Sequence, residues 1–123
     1  MEEGLVSVSF LFNHAIITAN TGLHSVSVLD WEHLDETGRF FGAPGFGPHG
    51  LTVCKSRQFL YCANSYDRTI SAVDCLKGRF FRSVSVGTTP CHLAYCRKSG
   101  CLYVTNFDSD SVGVVRERNM EQI

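Results

Sequence analysis

Two histidines stand just behind prolines: His49 follows Pro48, and His92 comes second after Pro90. Three asparagines, Asn20, Asn64 and Asn106, each close a short apolar run. Imidazole changes charge near neutral pH and is the commonest metal ligand, so a His pair suits ligand binding or part of a metal site. A catalytic zinc takes three protein ligands, and two histidines with no carboxylate nearby in sequence fall short of that set. Cys91 offers a thiolate beside His92, but successive strand residues face opposite ways. An Asn at a strand end either bonds its own turn or meets a ligand, and its residue type fits both. Asp67, Asp108 and Asp110 fall in turns whose spacing matches no EF-hand. No G-x-S-x-G, Walker or G-x-G-x-x-G pattern occurs, and the glycine-rich run 42–47 precedes no helix.

The spacing of these residues is regular. Asn20 and Asn64 are 44 residues apart, Asn64 and Asn106 are 42 apart, and so are Pro48 and Pro90. Apolar residues alternate with small or polar ones in SVSVL (25–29), TISAV (69–73) and SVGVV (111–115), the period-two pattern of strands. Turn formers separate the runs at 20–22, 64–67 and 97–100. A repeat of about 40–45 residues holding several short strands is the signature of propeller blades. The chain is therefore expected to be all-β, one domain of four-stranded antiparallel blades at about 4–47, 48–89 and 90–123. In the second blade the strands are expected at 49–54, 59–63, 69–74 and 79–86, with the next inner strand at 92–96. The first inner strand is expected at Gly4–Val8. The third blade is expected to stop after its third strand, in Arg116-Glu117-Arg118-Asn119. GRFF, at 38–41 and 78–81, reads as a turn glycine followed by an outer strand. Inner and second strands run antiparallel, so the start of one and the end of the other share a rim. His49, His92, Asn20, Asn64 and Asn106 thus converge near the mouth of the channel. His14, His24 and His33 read as solvent-facing turn residues, and Trp31 as packing on the outer rim.

Bulk properties narrow the partners. A net charge of −1 over 123 residues gives no electrostatic pull on nucleic acid. The N-terminus is acidic and alternates Ser with apolar residues, unlike a secretory leader, and no run approaches the length of a membrane helix. The expectation is a cytoplasmic protein with no membrane partner and with its six cysteines free and mostly buried. Cross-strand pairing of Cys54 with Cys62, or of Cys96 with Cys101, is the alternative the hairpins allow.

LYVTNFDSDSVGVV (102–115) and its echo LYCANSYDRTISAV (60–73) resemble the YVTN repeat of YncE-like β-propellers. Gly47-Pro48 and Gly87-Thr88-Thr89-Pro90 resemble the family's lead-in to the inner strand, and Asp30 and Asp74 its strand end. Arg116 stands where the third repeat would have that Asp. The resemblance runs from Gly4 to Val115. It implies a non-enzymatic binding module for a protein or small-molecule ligand, with a lactonase-type hydrolase as the alternative. A cell-surface role, which some YVTN proteins have, fits less well with six cysteines. No cofactor is expected, although the His pair leaves room for a divalent metal at the channel mouth. Propellers close with about 4–8 blades, so nearly three imply either part of a longer propeller or copies that complete a ring. Two copies would make six blades.

Overall fold

In the computed structural model, residues 10–12, 15–20, 25–30, 36–41, 47–54, 57, 59–74 and 79–123 are described. Among the described residues, twelve strands fall into three four-stranded antiparallel sheets. The first holds β1 (Phe10–Phe12), β2 (Ala15–Asn20), β3 (Ser25–Asp30) and β4 (Glu36–Phe41). The second holds β5 (Pro48–Cys54), β6 (Phe59–Asn64), β7 (Thr69–Asp74) and β8 (Arg79–Ser85). The third holds β9 (Pro90–Cys96), β10 (Cys101–Asn106), β11 (Ser111–Arg116) and β12 (Glu121–Gln122). Within each sheet the strands follow chain order, so each sheet is a meander and one blade. The turn after the second strand ends in a left-handed residue in both described cases, Arg68 (φ 59°) and Asp110 (φ 47°).

Three expectations need correction. The third blade does not stop after its third strand. Met120 adopts φ 55° and its N–H donates to the Arg116 carbonyl at 2.8 Å, which turns the chain back so that Glu121 pairs with Arg116. Two polar residues carry no alternation, so this short fourth strand leaves no pattern in sequence. The GRFF copies are not equivalent either. Gly38 pairs with Val28 inside β4, whereas Arg79 opens β8 against Asp74. The connection after Asp30 is longer than the one after Asp74, which shifts the motif along the outer strand. Finally, Cys54 pairs with Phe59 and Cys62 with Leu51, so Cys54 and Cys62 do not face each other. Cys96 does lie opposite Cys101, and both are free thiols. The expected strand Gly4–Val8, His14, His24, His33, Trp31 and Cys75 lie outside the described residues.

The blades are held by two cores, sorted by the pleat. Alternate residues of β6 point to opposite faces. Leu60, Cys62, Val73 and Leu51 pack against Ile17, Ala19 and Val26 of the first blade. Tyr61, Ala63, Ile70 and Ala72 pack against Leu102, Val104, Val115 and Met120 of the third. The second blade is thus apolar on both faces, and all of β6 is buried. Each fully buried Leu, Ile or Val contributes about 1.5–3 kcal/mol.

One polar cluster crosses the second joint. The buried Glu117 carboxylate accepts from the Tyr61 hydroxyl and from Arg57 Nη1, at 2.7 Å for the latter. Arg57 also stacks over Phe59, 4.6 Å from the ring centroid. Burial, reinforced by Glu117, pushes the Tyr61 hydroxyl far above its ordinary pKa. This cluster ties the turn after β5 to the turn after β11, at the end of the blades opposite the prolines.

Candidate functional site

Proline has no N–H to give a ladder, and at both described lead-ins the pairing slips just after it. Pro48 pairs with Asn64 and the next pair is Leu51 with Cys62, so His49 and Gly50 together oppose Ala63. Pro90 pairs with Asn106 and the next pair is Leu93 with Val104, so Cys91 and His92 together oppose Thr105. These are β-bulges, devices that re-aim a side chain and that gather near functional sites. Gly47, which precedes Pro48, has φ +68° and lies under the Tyr66 ring, so any Cβ there would stand 2.6 Å from that ring.

The bulges bring the two histidines together. His49 takes the first bulge position and His92 the second, and that offset sets their rings edge to face with centroids 5.8 Å apart. His49 Nδ1 lies 3.2 Å from the Cys91 carbonyl. A carbonyl only accepts, so Nδ1 carries the proton and Nε2 holds a lone pair in the neutral ring. The His92 main-chain N–H donates to Thr105 Oγ1 at 3.1 Å, which fixes the second bulge.

The close approach of the lead-ins depends on Gly50. A Cβ on it would meet the Cys91 carbonyl oxygen at 2.3 Å and His92 Cα at 3.1 Å. Ser65 Oγ donates to the Pro90 carbonyl at 2.6 Å and completes this seat. The lead-in of the third blade therefore sits in a socket on the second. On the third blade the same socket is an open depression of about 510 Å³, lined by Cys91, His92, Thr105, Asn106, Phe107 and Val112 among others.

The asparagines lie beside the histidines but turn into their own blades. Asn64 is fully buried, and its Nδ2 donates to Thr69 Oγ1 at 3.0 Å and Ser71 Oγ at 2.8 Å. Asn106 Nδ2 donates to Ser111 Oγ at 3.3 Å, and its amide packs on Gly87, where a Cβ would stand 2.8 Å from Asn106 Cγ. The Asn64 side chain braces the turn and the start of β7, and that of Asn106 braces its turn and the lead-in at Gly87. Asn20 ends β2 at the matching position, with its side chain outside the described residues. Asp67 accepts from Thr69 Oγ1 at 2.6 Å, and Asp108 accepts from Thr89 Oγ1. Thr89, Ser65 and Thr105 belong to the rim too. A spacing of 42 from the Asn and Pro positions points to their slots, but nothing in their residue type singles them out.

Among the described residues no three His, Cys, Asp or Glu side chains gather as a metal set. Cys91 is half-buried and Cys96 exposed, while Cys54, Cys62 and Cys101 are buried. Hydrogen bonds from Ser99 hold the Cys96 thiol below its ordinary pKa, and burial pushes Cys62 far above its own.

No known family profile matches the sequence, and no curated protein matches it. Solved structures do. The chain superposes on Kuenenia stuttgartiensis hydrazine synthase with TM-score 0.85 and 20% identity, over 97% of this chain and 34% of the other. It matches the β-propeller domain of Myceliophteria thermophila Cps50 (Swd1) with TM-score 0.78 and 12% identity, over 100% of this chain and 37% of that one. The fold is that of a β-propeller. The propeller is partial, with three blades. Dihydro-heme d1 dehydrogenase NirN in complex with DHE also matches, at TM-score 0.74 and 18% identity, over 89% of this chain and 23% of that one. The chain spans 23–37% of the length of these neighbours, and at such identities the likeness concerns the fold. No helix among the described residues is long and apolar enough to cross a membrane.

Proposed function

We propose that this chain is a propeller binding module of the YncE-like type, cytoplasmic, which holds a small-molecule or protein ligand at the rim where the lead-ins and the turns after the second strands meet. The observation that carries this reading is the His49–His92 pair, supplied by successive blades and set ring to ring by two bulges. Bulges disrupt a ladder, and a pair of them aiming polar rings at one rim fits recognition better than packing. In the neutral ring, with the proton on Nδ1, His49 Nε2 would accept a hydrogen bond or bind a cation, and the exposed His92 would supply the second contact. The asparagines position the rim.

No observation favours the lactonase-type hydrolase over this reading. Hydrolysis would need an acidic partner or a third metal ligand facing the pair, and none gathers there among the described residues. The test is a thermal-shift screen of metabolites, short peptides and divalent cations against the chain and against His49→Ala and His92→Ala. A ligand that stabilises the parent and neither variant supports the reading. Lactone hydrolysis lost in both variants would replace it with the enzyme, and a ligand indifferent to both would move the site elsewhere.

A further inference from the structure

The third blade repeats the second at a spacing of 42 residues, yet its outer face is bare. Tyr61, Ala63 and Ile70 are fully buried under the third blade. Their counterparts Tyr103, Thr105 and Val112 are exposed, Val112 by 63%, and Phe107, the counterpart of Ser65, is exposed by 72%. The open depression completes the parallel, because its counterpart on the second blade is filled by Pro90-Cys91-His92. This surface is thus one half of a blade-to-blade joint. The same chain carries a matching other half. On the second blade Leu60 pairs with Val73, and these residues face the first blade. On the first blade Ile16 pairs with Leu29 at the same register, two residues before Thr18.

We propose that the open face of the third blade docks on the first blade of a second copy, head to tail, and that two such joints close a six-bladed ring. Six lies within the range of about 4–8 blades that close a propeller. The joint is wider near the channel than the one between the second and third blades. His92 stands in the slot of Gly50, so a docked lead-in cannot come as close as Cys91 comes to Gly50. Part of the depression then stays open between copies, and the assembly dissociates on dilution. This inference is independent of the ligand reading: a monomer could still bind through His49 and His92.

Sedimentation velocity on the 123-residue chain over a concentration series tests it. The expected result is a reversible species of twice the 13.6 kDa chain mass. Val112→Glu breaks the open face and Thr18→Glu the facing one, and each variant alone should be monomeric with an unchanged far-ultraviolet CD spectrum. Mixed, they should form a dimer, because one intact joint remains between them. Arg118→Glu, in the exposed turn at the other end of the blade, should leave the parent dimer intact. A parent chain monomeric at every concentration would overturn the proposal and assign the face to a further blade of a longer polypeptide. Dimers of Thr18→Glu alone would overturn it in favour of third blade against third blade.

Discussion

Gly50→Ala tests how the lead-ins hold the second and third blades together. The added methyl would stand 2.3 Å from the Cys91 carbonyl oxygen, which is main chain and cannot swing aside. Real Cβ atoms essentially never come nearer than 3.0 Å, so the lead-in must retreat by most of an ångström. Overpacking of this kind costs about 1–3 kcal/mol. The His49–Cys91 contact, already 3.2 Å, would lengthen past bonding range and forfeit about 0.5–1.5 kcal/mol. Gly50 lacks a positive φ, so alanine recovers about 0.4–1 kcal/mol from the unfolded chain. The balance is a loss of about 0.5–4 kcal/mol, centred near 2. With a urea m-value of about 1–3 kcal/mol/M, the midpoint should fall by about 1 M, followed by far-ultraviolet CD. His92→Ala, at the matching position on the open blade, should leave the midpoint almost unmoved at concentrations where the chain is monomeric. A Gly50→Ala midpoint equal to the parent's would mean that the blades separate there at no cost, and that the close lead-in does not hold the joint.

Other expectations follow from the same geometry. Gly47→Ala meets both a φ of +68° and the Tyr66 ring, whereas Gly100→Ala meets only a φ of +71° with open space around it. Denaturant titration should show Gly100→Ala losing about 1 kcal/mol and Gly47→Ala more; equal losses would remove the ring from the account. The Tyr61 pKa is raised in the fold, so its contribution is whole below the unfolded value of about 10 and is lost as pH climbs above it, by up to about 1.4 kcal/mol per pH unit. Tyr61→Phe should be less stable at pH 7 but show a flatter fall of melting temperature above pH 10, and an equally steep fall would mean that the buried Tyr61 hydroxyl is not its source. Limited alkylation followed by mass spectrometry should label exposed, acidified Cys96 first and buried Cys62 last among the described cysteines; early labelling of Cys62 would mean that the joint between the first two blades opens readily.

The third strand of the second blade was legible to the residue. TISAV alternates cleanly, begins after Asn64-Ser65-Tyr66-Asp67, and ends at Asp74. The positions of Pro48, Pro90, Asn64 and Asn106 were legible as well, because a fixed spacing carries them to matching places. The bulges were not. They show only once pairing is known, since Cys91 and His92 count as two residues along the chain and as one across the ladder. The one-residue offset of the histidines is visible in sequence, but that it sets their rings edge to face shows only with the bulges. The Tyr61–Glu117–Arg57 cluster had no local trace: Tyr61 and Glu117 are 56 positions apart, and each is an ordinary surface type in its own window. The fate of each apolar residue was also hidden. Val112 and Ile70 read alike in sequence, and only the presence of a neighbour buries one and bares the other.

The middle sheet also governs how the molecule opens. It is packed by apolar residues on both sides, so either outer sheet can peel away while β6 and β7 keep one protected face. In a linear array whose units touch only their neighbours, opening starts at the flanks and reaches the centre last. Main-chain amides should then exchange with solvent fastest in the outer strands β4 and β12 and slowest in β6. The rim histidines sit across the junction of the middle sheet with a flank, one on each. A ligand gripping both would act as a rivet, and its occupancy would be read as slowed exchange in β12, three strands from the histidine it touches on that blade.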